Sequence, residues 1–323
     1  MIPMKIVFLD ASTVTSANDV DLSAVMALGE WVQYPITNPS ETAERIADAE
    51  VVISNKVLLD GNLIDNAAKL RLIAVAATGT NNVDLEAAKA AGVQVCNVSG
   101  YSTESVAQHT IAMLLNLATK MHRYGNEPQA WADSPIFTRL DYPVTSLHGS
   151  TLGLVGVGNI GGRVGEIAEA LGMTVQCYGR PGSAQAVHPE WPRRTIEELL
   201  ETSDTISLHC PLTEDTRSLI NEAALQKMKP GAFLINTGRG ELIDERALLA
   251  SLQSGHLGGA GLDVLSKEPP PADHPLISAD LPQLLITPHT AWSSRSSRQG
   301  LIQRVAENIQ AFLSGGAAGN RLV

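Results

Sequence analysis

The chain has 323 residues, 44% of them hydrophobic, which is enough for two domains with full cores and excludes a disordered protein. A formal net charge of -11, with no run of Lys or Arg, excludes the general electrostatic attraction on which nucleic-acid and acidic-membrane binding depend, so any anion must be held by a local site. Cys96, Cys177 and Cys210 are odd in number, scattered and without metal-ligand spacing, which points to buried thiols in a reducing cytoplasmic compartment and to no metal centre. The apolar run before Asp10 is too short for a signal-peptide core, and no segment is long enough to span a bilayer.

Short β-branched runs alternate with helical patterns, the mark of βαβ units and a parallel sheet, and the alternation occurs twice. In the first series strands are predicted at MKIVFLD (4–10), WVQYP (31–35), EVVISN (50–55), RLIAVAATG (71–79) and VQVCNV (93–98). Helices fall between them, including 40–49, which Ser40 is placed to cap, and 83–92, which Gly92 can end. A long helical stretch follows from Ser102 to Tyr124, apolar around much of its circumference, which favours a dimer contact over solvent. Residues 125–150 are turn-rich, with Pro128, Pro135 and Pro143, and read as an arm or flap.

The second series gives TLGLVGVG (151–158), MTVQCY (173–178), DTISLHC (204–210), GAFLINTG (231–238), GAGLDV (259–264) and QLLITPH (283–289), six parallel strands, with Asp244 placed to cap the helix at 244–255. A last long helix runs from Ser296 to Leu313. If it returns the chain to the first series, residues 1–101 and 290–323 form a discontinuous substrate domain, with a dinucleotide-binding domain, 102–289, inserted and a cleft between them. The fold class is thus α/β, two Rossmann-like parallel-sheet domains, the outer one flavodoxin-like.

Gly156, Gly158 and Gly161 form G-x-G-x-x-G directly after an apolar strand and at the opening of a helix that Gly172 can end. Backbone N–H groups there can face a pyrophosphate with no Cβ in the way. An NAD-selective site then carries an acidic residue about 20 residues on, to bind the adenosine ribose. This chain has Gly179 followed by Arg180 and Pro181. The missing carboxylate removes the repulsion of a 2′-phosphate and the guanidinium suits one, so NADP(H) is the preferred cofactor expected, with NAD(H) possible should Arg180 point to solvent.

Three further motifs follow in order: NTGRGELIDERALL (236–249), GLDVLSKEPP (261–270) and ITPHTAW (286–292). With residues 75–115 of the first half, they resemble the D-isomer-specific 2-hydroxyacid dehydrogenase family along nearly the whole chain, most closely its glycerate dehydrogenase or hydroxypyruvate reductase branch. The resemblance implies that Arg239 binds the substrate carboxylate and carbonyl, that His289 is the acid/base and that Glu268 orients it. It also implies cofactor contacts at Thr103, at Asn159 and Ile160 beside the glycines, at Cys210 and Pro211 along the adenosine, and at Thr237, Gly238 and Asp263, the last near the nicotinamide amide. Gln108 stands where the family often has an acidic residue.

The chemistry fits those roles. Reducing a 2-keto acid needs a hydride, a proton for the developing alkoxide and a cation for the carboxylate. Histidine is the side chain suited to proton exchange near neutral pH, so His289 can be the donor, Glu268 can fix its ring, and the Arg239 fork can hold a carboxylate. Singly, each has an ordinary reading as a core histidine, a surface ion pair or a solvated loop charge; together at successive strand ends they favour catalysis. The small residues Ala77, Thr78 and Gly79 after a buried strand offer backbone N–H groups to the substrate carboxylate, or form a simple turn. Trp292 either narrows the cleft towards small substrates or packs a domain or dimer contact. The expected function is reduction of small 2-keto acids to D-2-hydroxy acids, with hydroxypyruvate and D-glycerate the favoured pair and glyoxylate and glycolate beside it, in a homodimer. The alternatives are a phosphite or formate dehydrogenase-like enzyme and a dinucleotide-sensing corepressor.

Overall fold

The computed structural model describes residues 3–179, 188–316 and 320–323. Two compact units divide the chain, Met1–Ser102 with Trp292–Val323, and Thr103–Ala291.

The first unit is built on a five-stranded sheet of β1 (Lys5–Phe8), β2 (Glu30–Gln33), β3 (Val51–Ser54), β4 (Leu72–Val75) and β5 (Gln94–Cys96), in the order β2-β1-β3-β4-β5. Every pairing is parallel. Side chains of period two separate its faces: Ile6, Phe8, Val51, Ile53, Leu72 and Ala74 enter one cluster, and Val7, Leu9, Val52, Ile73 and Val75 the other. The helix Arg295–Leu313 lays Leu301, Ile302, Val305 and Ile309 on the first of these, so the C-terminal segment completes the core of the N-terminal one.

The second unit has a seven-stranded parallel sheet in the order β12-β11-β10-β9-β6-β7-β8. Its strands are β6 (Thr151–Val155), β7 (Thr174–Tyr178), β8 (Arg193–Arg194), β9 (Thr205–Leu208), β10 (Phe233–Asn236), β11 (Gly259–Leu262) and β12 (Leu284–Ile286). Phe233 and Ile235 point to one core cluster and Leu234 to the other, so this sheet too is covered on both faces. Chain order reverses at β6, with β7 on one side and β9 on the other, which places the ligand crevice of such a sheet outside the carboxyl ends of its strands.

Four local expectations change. The sheet gains a seventh strand at Arg193–Arg194, a charged edge pair without the apolar run that marks a strand. The helix expected to start at Ser40 starts one residue earlier with Pro39 in its first turn and is capped at Asn38, whose backbone N–H donates to the Glu41 carboxylate at 2.8 Å. The stretch from Ser102 breaks at Lys120, which adopts φ 56°, and so forms two helices, Thr103–Thr119 and Met121–Asn126. Finally, Ile111, Leu114 and Leu117, part of the apolar surface of the longer helix that was expected at a dimer contact, pack with Leu152, Phe233 and Ile235 inside the unit. Exposed apolar side chains lie instead in the following arm, where Phe137 is 92% and Leu140 83% accessible. Among the described residues no helix is long and apolar enough to cross a membrane.

Candidate active site

Because every strand of the second unit runs the same way, one edge of its sheet collects the residues that follow each strand. Gly156 follows β6, Gly179 β7, His209 and Cys210 β9, Thr237 to Arg239 β10, Asp263 β11 and Thr287 to His289 β12.

The glycine turn is shaped for a dinucleotide. Gly156 has φ 99°, and a Cβ there would lie 2.6 Å from the Cys210 nitrogen. At Gly161 a Cβ would lie 2.0 Å from the Gly156 oxygen, so only glycine lets the helix Asn159–Ala170 start this close to β6. Nothing lies within 4 Å of a Cβ built on Gly158, the residue capping that helix. No side chain caps that helix start, and a helix N-terminus with its first N–H groups uncapped is the arrangement that holds a pyrophosphate. Asn159 and Ile160 open the helix. Beside the turn, the His209 ring keeps some exposed edge yet sits deep among protein atoms, bonded to the Ser207 hydroxyl at 2.8 Å; burial pushes its pKa down to about 4, so it is neutral at pH 7. Burial raises the Cys210 thiol, and the Pro211 carbonyl accepts from the Thr216 hydroxyl at 2.8 Å.

His289 and Glu268, expected to work as an acid/base pair, lie within hydrogen-bond distance of each other. His289 Nδ1 lies 2.6 Å from a Glu268 carboxylate oxygen, and the other Glu268 oxygen accepts the Leu265 backbone N–H at 3.0 Å. A carboxylate only accepts, so Nδ1 carries the proton and Nε2 is left to exchange one with a substrate. His289 has φ 52°, a left-handed conformation that costs a non-glycine residue on the order of 1 kcal/mol or more.

Asp263 supplies the compensation. Its carboxylate, 1% exposed, accepts from the Thr287 hydroxyl at 2.5 Å, the Thr290 N–H at 2.8 Å and the Ala291 N–H at 2.9 Å, and its carbonyl accepts the His289 N–H at 2.8 Å. Since the Thr287 hydroxyl donates to Asp263, it accepts from His109 Nε2 at 2.9 Å. His109 and Thr287 were not singled out in the sequence; only a contact across 178 positions joins them. The Asp263 side chain, expected near a nicotinamide amide, is hydrogen-bonded to the loop that carries His289.

Arg239 opens the turn after β10. One guanidinium N–H donates to the Gly238 carbonyl at 2.8 Å, and the Asn236 side-chain amide donates to the Arg239 carbonyl at 2.8 Å. Gly240, the next residue, is pressed against the Leu265 and Ser266 backbone, where a Cβ would lie 2.0 Å from the Leu265 carbonyl carbon. The Arg239 turn and the loop leading to Glu268 are therefore in backbone contact. Thr237 shares a hydroxyl hydrogen bond with Thr110 at 3.0 Å, and the Gly238 N–H donates to Asn236 at 3.0 Å. Thr103 opens the helix Thr103–Thr119.

In the first unit, Ala77, Thr78 and Gly79 follow β4, held by the Thr78 hydroxyl on the Val98 carbonyl at 2.9 Å and the Asn97 amide on the Thr78 carbonyl at 2.6 Å. Trp292 packs edge-on against Tyr101, ring centroids 6.2 Å apart, on the core of that unit. Arg180 and Pro181 lie outside the described residues; Gly179 ends β7 with its N–H on the Arg194 carbonyl at 2.9 Å.

The sequence profile of the D-isomer specific 2-hydroxyacid dehydrogenase, NAD binding domain, matches residues 111–291. A glycerate dehydrogenase of Methylorubrum extorquens is 40% identical over 314 residues, 96% of this chain and 96% of its own. A hydroxypyruvate reductase of Blautia hydrogenotrophica is 37% identical over 320 residues, 97% of this chain and 98% of its own. Among solved structures, an NADPH-dependent glyoxylate/hydroxypyruvate reductase of Sinorhizobium meliloti, in complex with NADP and malonate, superposes with a TM-score of 0.84 at 26% identity, covering 99% of this chain and 97% of that one. The chain belongs to the D-isomer-specific 2-hydroxyacid dehydrogenase family and is an NAD(P)-dependent oxidoreductase of 2-hydroxy acids.

Proposed function

We propose that the protein reduces hydroxypyruvate to D-glycerate, and glyoxylate to glycolate, with NADPH as the preferred donor. The observation that carries the reaction type is the His289–Glu268 pair on a strand-end loop of a dinucleotide-binding unit. His289 Nε2 gives its proton to the carbonyl oxygen, and Glu268, accepting from the opposite ring nitrogen, fixes the orientation of the ring. Arg239 holds the carboxylate with the N–H groups not spent on Gly238. The loop Ala77–Gly79 of the first unit is read as offering backbone N–H groups to an anion. Pyrophosphate is held by the N–H groups at Gly158 to Gly161, with Thr103, Cys210, Pro211, Thr237 and Gly238 along the rest of the dinucleotide. A bound reduced nicotinamide supplies the hydride.

The substrate reading is supported by relatives named glycerate dehydrogenase and hydroxypyruvate reductase. The NADPH reading is supported by the absence of an acid at Gly179 and the presence of Arg180, and by an NADPH-dependent structural relative. Free thiols at all three cysteines fit a reducing cytoplasm. Exposed Trp131, Ile136, Phe137, Leu140 and Val144 make the arm the surface on which a second copy would pack. Initial rates with hydroxypyruvate, glyoxylate and pyruvate, each with NADPH and NADH, test the assignment. Hydroxypyruvate with NADPH should give the highest kcat/KM; no turnover of any keto acid would refute the function, and a preference for NADH would refute the cofactor.

A further inference from the structure

We propose that Arg193, on the edge strand β8, is a second cationic ligand for the adenosine 2′-phosphate and helps to set the preference for NADP(H); the inference rests on the cofactor reading above. β8 pairs with β7 in parallel, Cys177 opposite Arg193 and Tyr178 opposite Arg194. The carboxyl ends of β6, β7 and β8 therefore share one rim, with the glycine turn after β6 and Gly179 after β7. Adenosine ribose lies at the end of the second strand of such a sheet, beside the position Gly179 holds.

Gly179 and Arg193 are neighbours there. A Cβ built on Gly179 would lie 3.1 Å from Arg193 Cβ and 3.8 Å from its Cγ. An acidic side chain at 179 would emerge against the stem of Arg193 and pair with it; glycine leaves that space to the ligand. The adjacent arginine is differently placed: Arg194 Nε donates to the Gln176 side chain at 3.2 Å, on the other side of the strand. Arg193 is exposed and has no ion-pair partner among the described residues. Of the carboxylates close to it in sequence, Glu190 is bonded to His188 at 2.9 Å, Glu198 accepts the Thr195 N–H at 2.9 Å and Glu197 lies 3.8 Å from Lys227. A delocalised cation standing clear of carboxylates, in a chain of net charge -11, at the edge of the ribose position, suits a phosphate dianion better than an uncharged ribose.

Calorimetric titration of wild type, R193A, R193K and R180A with adenosine 2′,5′-bisphosphate and AMP, and with NADPH and NADH, tests this. R193A should weaken the bisphosphate and NADPH about tenfold, with AMP and NADH changed less than twofold; R193K should fall between, and the salt dependence of NADPH binding should be shallower in R193A. An unchanged melting temperature will show that the edge strand is intact. If wild type prefers NADPH but R193A binds it as wild type does, or loses NADPH and NADH equally, the role of Arg193 is overturned while the cofactor reading stands. If wild type binds the bisphosphate no better than AMP, both are overturned.

Discussion

Replacing Gly240 with alanine tests whether Arg239 and Glu268 act as one geometry. The added Cβ would lie 2.0 Å from the Leu265 carbonyl carbon, 2.3 Å from its oxygen and 2.3 Å from the Ser266 nitrogen. All three are backbone atoms, so no rotamer change relieves the contact. Ordinary van der Waals separation begins near 3.4 Å, so the Arg239 turn and the 265–266 segment must move apart by about 1.4 Å. The Leu265 N–H is bonded to Glu268, whose other oxygen holds His289, so the displacement reaches both Arg239, proposed to bind the carboxylate, and the pair proposed to transfer the proton. Misplacement of a reacting group by roughly 1 Å costs about 100-fold in rate, and overpacking costs about 1–3 kcal/mol of stability. G240A should therefore lose about 100-fold in kcat/KM for hydroxypyruvate, measured by the absorbance of the reduced nicotinamide, while circular dichroism still reports a folded protein below its lowered melting temperature. Dinucleotide affinity should change little, because the glycine turn is on another strand. A kcat/KM within threefold of wild type would show that the backbone contact does not govern the site.

T287V removes the hydroxyl between His109 and Asp263 and should lower kcat about tenfold with little effect on KM for the dinucleotide, with T287S restoring most of it; a rise confined to the dinucleotide KM would return Asp263 to a cofactor role. The pKa of His209 falls from 6.5 to about 4 on folding, so its contribution is fully present above pH 6.5 and is lost as pH drops towards 4, up to about 3 kcal/mol. Urea unfolding at pH 7 and pH 5 should show a steeper loss for wild type than for H209Q, and parallel losses would count against it. Burial pushes the Cys96 thiol up to about 12 and raises those of Cys177 and Cys210, so a disulfide reagent at pH 8 should label the native protein slowly and all three thiols at once in denaturant; rapid native labelling would contradict the packing.

What the sequence discloses about this molecule follows the strength of the local signal. Buried parallel strands such as β3 and β10 are continuous apolar runs, and every one of them is readable as a strand. The glycine turn is readable because two of its glycines are required by backbone contacts that any side chain would violate. β8 was missed because an edge strand of two arginines is defined by its partner, not its composition. Lys120 was missed because a left-handed residue inside an apolar pattern leaves the helical period intact on either side. The apolar stripe of Thr103–Thr119 was legible, but not its destination, since burial within the unit and burial against a second chain have the same sequence pattern.

The site divides along the same line. Arg239, Glu268 and His289 stand in recognisable motifs, whereas the atoms that hold His289 in its left-handed conformation are a carboxylate 26 positions earlier and a histidine on a helix 180 positions earlier, joined through one threonine hydroxyl. The motif gives the residue expected to react; the buried Asp263 bonds the loop that carries it. The buried Asp263 carboxylate takes three donors from one loop, and the positive φ of His289 is the form in which those bonds are all made at once. The placement of His289 is accordingly a property of two strand ends and a helix together.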